Sequence, residues 1–408
     1  DVLNRVHTEI GSLNYKSYVL YHPDVPTRRI EKLSIEETID THNWRREGSQ
    51  YYIYLDDGEK EVFKTLINTN NTVVNPVKIN LHDVKKIATM YNFVAVLKHD
   101  GTVWVWGDNS YGLYGDGTKE DNNFPYKVNI DNVKDIAVGY YHVVALKNDG
   151  TVWTWGYDTD GNLGRLSSKA NDYLVPGKVD IDDVKSVYAG GYHTLVIKND
   201  GTVWAWGQNK YGQLGNGNKK NTYNPVEINI TDVKELSLGT DYTIAVKNDG
   251  TLWAWGRNNY GQLGDGTKTD RTLPKQININ DVKTAFAGSR NTKVLKNDGT
   301  VWTWGDSLYG ELGYSGTSTV PKQVSITDVS RLYVHENYAF AVKNDGTVWA
   351  WGSNSGGQLG DGSKTSKSTP TKINITDVKD MVLGGTHTLL LKNDGTLWAT
   401  GSNAYGQF

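Results

Sequence analysis

The chain has 408 residues, of which 22% are charged, a formal net charge of −3 and no cysteine. Balanced charge leaves no basic footprint for nucleic acid, and the missing cysteines exclude disulfides, thiolate metal sites and a cysteine nucleophile. Apolar runs are a few residues long, far short of the roughly 20 that cross a bilayer as a helix.

The sequence opens on Asp1, as a segment released from a signal peptide or cut from a longer protein would. Its many Asn and Lys residues point to an AT-rich, bacterial genome. Residues 1–75 carry no repeat. Ser34-Ile35-Glu36-Glu37 reads as a capping box that starts a short helix running to about Trp44, with Ile35 and Ile39 on one face. Tyr51 to Leu55 and Glu61 to Leu66, either side of Asp56-Asp57-Gly58, predict a hairpin. This small α+β extension holds 9 basic and 12 acidic residues, so the remainder balances at 34 of each. It reads as a cap, a linker or the tail of an upstream domain.

Residues 76–408 repeat. The phrase KNDGTVWAWG, from Lys198 to Gly207, occurs in seven variants whose turn glycines are Gly101, Gly150, Gly201, Gly250, Gly299, Gly346 and Gly395, spaced 49, 51, 49, 49, 47 and 49 residues apart. A period of this size marks units that cannot bury their apolar faces alone. Alternation divides the unit that starts at Val184 into strands A (Val184 to Ala189), B (His193 to Lys198), C (Thr202 to Trp206) and D (Val226 to Ile228). A tight turn joins A to B, an Asn-Asp-Gly turn joins B to C, and a longer loop joins C to D.

Seven of the nine prolines, Pro76, Pro125, Pro176, Pro225, Pro274, Pro321 and Pro370, fall at one phase just before strand D. Proline cannot donate to a ladder, so D is the outer edge and A the inner strand. Seven such sheets predict an all-β, seven-bladed β-propeller. The segment 77–79 precedes the first A-B-C set and the last set lacks a D strand, so 77–79 should add to strand C at 396–400 and close the ring.

Thirteen of the fourteen tryptophans sit in the repeated phrase, two per unit, except that the last copy reads KNDGTLWATG with one. Trp204 and Trp206 point to one face of their strand and Val203 and Ala205 to the other. Large side chains of one blade can then cover small ones of the next, which assigns the indoles to core packing.

The runs Ala189-Gly190-Gly191-Tyr192-His193-Thr194-Leu195 and Trp206-Gly207, followed by Tyr211-Gly212-Gln213-Leu214-Gly215-Asn216-Gly217, resemble the regulator of chromosome condensation repeat over residues 76–408. The resemblance implies the seven-bladed propeller with closure shared by the chain ends. It does not fix one activity. That family contains a nucleotide exchange factor for a small GTPase, a plant ultraviolet-B receptor and secreted bacterial inhibitors of β-lactamases. The Gly-Trp-Arg-His-Thr motif of the receptor is absent from the A-to-B turns, and near-uniform spacing leaves no room for the exchange factor's long inserted wedge.

Function should lie where the repeats disagree. The A-to-B turns and C-to-D loops share one face, whose inner ring holds Met90, Tyr91, Tyr140, Tyr141, Tyr192, Asp241, Arg290, Glu336 and Asn337. Tyrosine and arginine combine rigid area with polar tips, as protein interfaces require. Tyr91, Tyr140, Tyr141, Tyr192, Asp241, Arg290 and Asn337 are therefore the candidate partner-binding residues. Resemblance to the β-lactamase inhibitors adds weight at Tyr140, Tyr141 and Tyr192. Tyr111, Tyr211, Tyr260, Tyr309 and Tyr405 recur at one phase of the C-to-D loops, either to anchor the loops or to stack on sugars.

His142, His193 and His387 share one repeat position, where a hydrogen bond to the turn backbone is expected rather than a metal. The Gly-Asp-Gly stretches at 115–117, 264–266 and 360–362 lack further spaced acidic ligands and read as turns. No HExxH, GxSxG or phosphate-loop pattern is present. The expectation is a monomeric, non-enzymatic, extracellular propeller that binds a protein, without cofactor, metal, nucleic acid or membrane insertion. Its sharpest form is an inhibitor of a secreted or periplasmic enzyme such as a β-lactamase. The alternatives are a carbohydrate-binding, lectin-like propeller and a guanine nucleotide exchange-type regulator.

Overall fold

The computed structural model describes residues 20–22, 25–30, 44–47, 50–53, 72–78, 83–90, 92–166, 172–394 and 396–402. The chain divides into a unit of residues 1–70 and a unit of residues 71–408. In the first unit Leu20–His22 pairs antiparallel with Val25–Ile30, and Trp44–Glu47 with Gln50–Ile53. Trp44 therefore begins a strand rather than ending a helix, and residues 34–43 lie outside the described residues. Likewise Tyr51 to Ile53 pair backward with Trp44–Glu47, while the expected partner at 61–66 lies outside the described residues.

The second unit is seven four-stranded antiparallel sheets, six of them in simple A-B-C-D order. The blade beginning at Val184 has A at Val184–Ala189, B at His193–Lys198, C at Val203–Gly207 and D at Thr222–Ile228. Strand D starts before Pro225, not after it. Ala205 pairs with Val226 and Gly207 with Thr222, so the proline sits in a bulge of the edge strand where its missing N–H removes no ladder bond. The second blade departs most, with D reduced to Gly177–Lys178 after a 3₁₀ turn at Asp172–Leu174.

Closure occurs as the chain-end argument requires. Thr72–Lys78 is the fourth strand of the last blade, and Val77 pairs with Ala399 and Lys78 with Trp398. This strand begins five residues earlier than expected and ends one earlier, Ile79 being outside the described residues. Strand A lines the channel. Lys85 and Lys134 donate from this strand to the Lys134 and Val184 carbonyls of the following blade, and Lys234 and Lys283 to the Lys283 and Ser330 carbonyls. The lysine at the start of strand A is thus an inter-blade tie. A residue in the left-handed region stands two positions before it, or before Ser330 in the sixth blade, with Asp183 at φ 57° and Asn132 at φ 55°. Asp and Asn are the non-glycine residues that tolerate this conformation best.

The paired tryptophans have different jobs. The second one (Trp155, Trp206, Trp255, Trp304, Trp351) is fully buried, and Trp255 packs over Ala205 of the preceding blade. Its indole N–H donates across the seam, Trp206 to the Asn162 carbonyl at 3.1 Å and Trp304 to the Gln262 carbonyl at 2.9 Å. The first, such as Trp204, is half-buried, donates to Thr202 and carries Lys198 over its ring.

Candidate functional site

The C-to-D loops of the first, third, fourth and sixth blades fold around a buried asparagine, Asn109, Asn209, Asn258 or Asn354, a position that Asp158 and Ser307 take in the second and fifth. The Asn258 side-chain amide donates to Asp265 and to the Thr267 and Thr269 carbonyls, while its oxygen accepts from Leu263 N–H. Asp265 in turn accepts from Thr267, so the Gly-Asp-Gly stretch is a turn. The Tyr211 and Tyr260 N–H groups donate to the Gln213 and Gln262 side chains, which fixes where each tyrosine leaves the loop. These loops are rigid platforms.

The A-to-B turns meet them. The Tyr141 carbonyl accepts the Tyr157 N–H at 2.6 Å, tying the second blade's turn to the start of its C-to-D loop. The Tyr141 ring lies 4.3 Å from Tyr111, 5.3 Å from Tyr192 and 6.5 Å from Tyr157, centroid to centroid. Tyr157 reaches Tyr173, and the Lys119 ammonium lies over both. Residues from the first three blades thus form one continuous aromatic patch. Tyr111 and Tyr157 are exposed, whereas Tyr141 and Tyr192 are half-buried. Burial raises the Tyr141 pKa, and the neighbouring Tyr141 is the main cause of the rise at Tyr111. Both phenols stay neutral donors at ordinary pH.

A second patch follows around the ring. Arg257 stacks on Tyr211 and Tyr260, and Arg290 covers Tyr260 at 4.5 Å. Asp241 is almost fully buried under Arg257, which it pairs at 2.9 Å. Burial raises the Asp241 pKa and the Arg257 hydrogen bond opposes it. Asp241 orients the guanidinium and offers a partner little surface. Arg290 is partly exposed beside Asp306.

Tyr140 differs from the expected open contact. It is buried and reaches across the channel mouth, its hydroxyl bonded to Thr240 and Glu336. Below it is a cavity of about 150 Å³ lined by His335, Glu336, Met90 and Gly191 among others. Burial raises the Glu336 pKa and lowers that of His335 to about 3. Asn337 is half-buried and contributes its carbonyl to Ser353. Tyr309 is exposed and stands apart, with no ring contact among the described residues. Tyr91 and Tyr405 lie outside the described residues.

The histidine position is corrected. His142 and His193 bond the Thr194 and Thr243 hydroxyls of the following blade at 2.8 and 3.0 Å, not their own turns. Tyr242 and Tyr338 do the same with Thr292 and Thr388. Among the described residues no three His, Asp or Glu side chains converge for a metal.

Sequence reading missed Tyr157, Tyr173, Arg257 and Lys119. The first and third occupy the position directly after Trp-Gly (Thr-Gly in the last blade), which reads Asp108, Tyr157, Gln208, Arg257, Asp306, Ser353 and Ser402 around the ring. That variability inside an otherwise repeated phrase was the available signal.

A family model for the RCC1-like domain matches residues 55–334, and models of the regulator of chromosome condensation (RCC1) repeat match 345–391 and 378–407. The ultraviolet-B receptor UVR8 of Arabidopsis thaliana is 29% identical over 167 residues, 39% of this chain and 38% of that protein. Human WBSCR16 superposes with a TM-score of 0.68 at 24% identity, covering 80% of this chain and 89% of that one. Prp20p from Saccharomyces cerevisiae, described with its binding to Gsp1p and histones, gives 0.66 at 21% identity over 79% and 84% of the two chains. At these identities the likeness shows the fold. With seven blades of four strands, shared closure and a model match over most of its length, the chain belongs to the RCC1-like domain family.

Proposed function

We propose that this propeller recognises another protein through the face built by its A-to-B turns and C-to-D loops, with Tyr111, Tyr141, Tyr157 and Tyr192 as the centre of contact. One observation carries the reading: these rings form a contiguous, partly exposed cluster that the other blades do not repeat among the described residues. Rigid aromatic rings with polar hydroxyl tips are what binding hot spots are made of. Arg257 and Arg290 extend the cluster with stacked guanidiniums whose positions are set by Asp241, Tyr211 and Tyr260.

Within that reading a secreted or periplasmic enzyme, a class A β-lactamase first, is the sharpest partner to test, because the turn Tyr140-Tyr141-His142 resembles that of inhibitory relatives. An extracellular location goes with it. The carbohydrate reading is less well supported, since Tyr211 and Tyr260 give ring faces to Arg257 and Arg290 instead of leaving them bare for sugar. Enzyme inhibition by the purified chain, with Tyr141→Ala and Tyr192→Ala as variants, tests the proposal. A glycan array lost on Tyr211→Ala would favour the lectin reading instead.

A further inference from the structure

Six blades seal the seam with the preceding blade by a buried second tryptophan; the seventh has Thr400 at that position. Around Trp206 the seam is built by Val144, Val179, Ile181 and Val196, and the indole lies against Gly164, where a Cβ would come within 2.5 Å of the ring nitrogen. The same repeat positions around Thr400 are Phe340, Ile373, Ile375, Leu390 and Gly360, and they line a cavity of about 270 Å³. Phe340 is the one aromatic, and the bulkiest side chain, at a position held elsewhere by Ala95, Val144, Leu195, Ile244, Lys293 and Leu389, yet it leaves the cavity open. Exposed Asn374 and Thr376 stand among the lining residues, so the cavity reaches solvent.

The hydrogen-bonding place is also retained. In the fourth and fifth blades the indole N–H and a threonine hydroxyl share one carbonyl, that of Gln213 or Gln262. The equivalent Gln358 carbonyl accepts the Thr388 hydroxyl at 2.9 Å, while Thr400 donates to Gly357 instead. A carbonyl has two lone pairs, so Gln358 keeps acceptor capacity for one N–H. Enclosed apolar cavities of about 150 Å³ take up benzene; this one is larger, and alongside its apolar wall it has a polar rim of Asn374, Thr376, Lys392 and Thr400.

We propose that the seam between the sixth and seventh blades binds a free planar aromatic molecule of indole size, lying where the absent tryptophan ring would lie, with its N–H on the Gln358 carbonyl. The site is independent of the tyrosine face. The test is ¹⁹F NMR titration of 5-fluoroindole into the full chain, which the protein's own tryptophans do not obscure. Saturable binding with a Kd of about 1 mM or tighter is expected. Thr400→Trp, which restores the ring of the other blades, should weaken it at least about tenfold, and Thr400→Val, which keeps the space, should retain it. Should Thr400→Trp fail to fold, Leu390→Phe narrows the same cavity and should weaken binding likewise. No binding by the wild-type chain, or equal binding after the cavity is filled, overturns the proposal.

Discussion

At the first position of strand B, His142, His193 and His387 alternate with Tyr242 and Tyr338. Where the bonds are resolved, the polar tip ties one blade to a threonine of the next. Burial holds the histidines neutral, with pKa values of about 3 at His142 and His193 and about 4 at His387. Unfolded, they return to about 6.5. The folded values are the lower ones, so the unfolded chain binds more protons between them, and the stability present above about pH 6.5 is lost as pH falls toward the folded values. At pH 5 each such histidine should cost about 2 kcal/mol. Urea midpoints at pH 7 and pH 5 check this, and His193→Asn, the residue type found at Asn291, should flatten the dependence. An unchanged midpoint would count against it. The two tryptophans of a blade separate equally clearly. Trp206→Ala should destabilise by about 3–5 kcal/mol, and Trp204→Ala, which removes a half-buried ring under Lys198, by about 1–2 kcal/mol. Denaturant titration of both variants would refute the assignment if the two losses were equal.

Strands were legible because two independent signals agree on them: period-two alternation, and a turn glycine about every 49 residues. The N-terminal hairpin was legible only in part, since the local turn signal Asp56-Asp57-Gly58 favoured pairing Tyr51 to Leu55 forward, whereas Trp44–Glu47 took that strand. Strand D was shortened in the reading because proline was treated as its start, and a bulge let the strand run through Pro225. Of the site, Tyr141, Tyr192 and Arg290 were readable as departures from the repeat. The burial of Tyr140 and Asp241 was not, because it depends on Glu336 and Arg257, residues 196 and 16 positions away. Closure gives the prediction at this scale. Removing Thr72–Lys78 leaves strand C of the last blade, Leu397–Ser402, as an open edge. A chain beginning at residue 83 should lose cooperative unfolding and self-associate, as scanning calorimetry and light scattering would show. A sharp single transition in a monomer would mean that the closing strand is dispensable.

Seen whole, the propeller spends its repeated residues on seams and gathers the tyrosine and arginine departures of the candidate site on one face. Tyr111 sits on a loop held by buried Asn109, Asn162 holds the Tyr157 carbonyl, and the Tyr141 and Tyr192 carbonyls accept the Tyr157 and Gln208 N–H groups, so a partner meets a surface that is already ordered, which lowers the entropy cost of association. Truncating a central ring should therefore reduce affinity sharply while leaving the fold intact. Asn248, exposed in the Asn-Asp-Gly turn at the opposite end of the strands from that face, is the internal control. The most direct measurement is inhibition of a panel of class A β-lactamases by the purified chain and by its Tyr141→Ala, Tyr192→Ala and Asn248→Ala variants, with thermal melts alongside. Binding at the tyrosine face predicts inhibition that weakens at least about 30-fold in the first two variants, is unchanged in the third, and is accompanied by melting shifts of no more than a few degrees. No inhibition by the wild-type chain, or inhibition that survives both central substitutions, would contradict it.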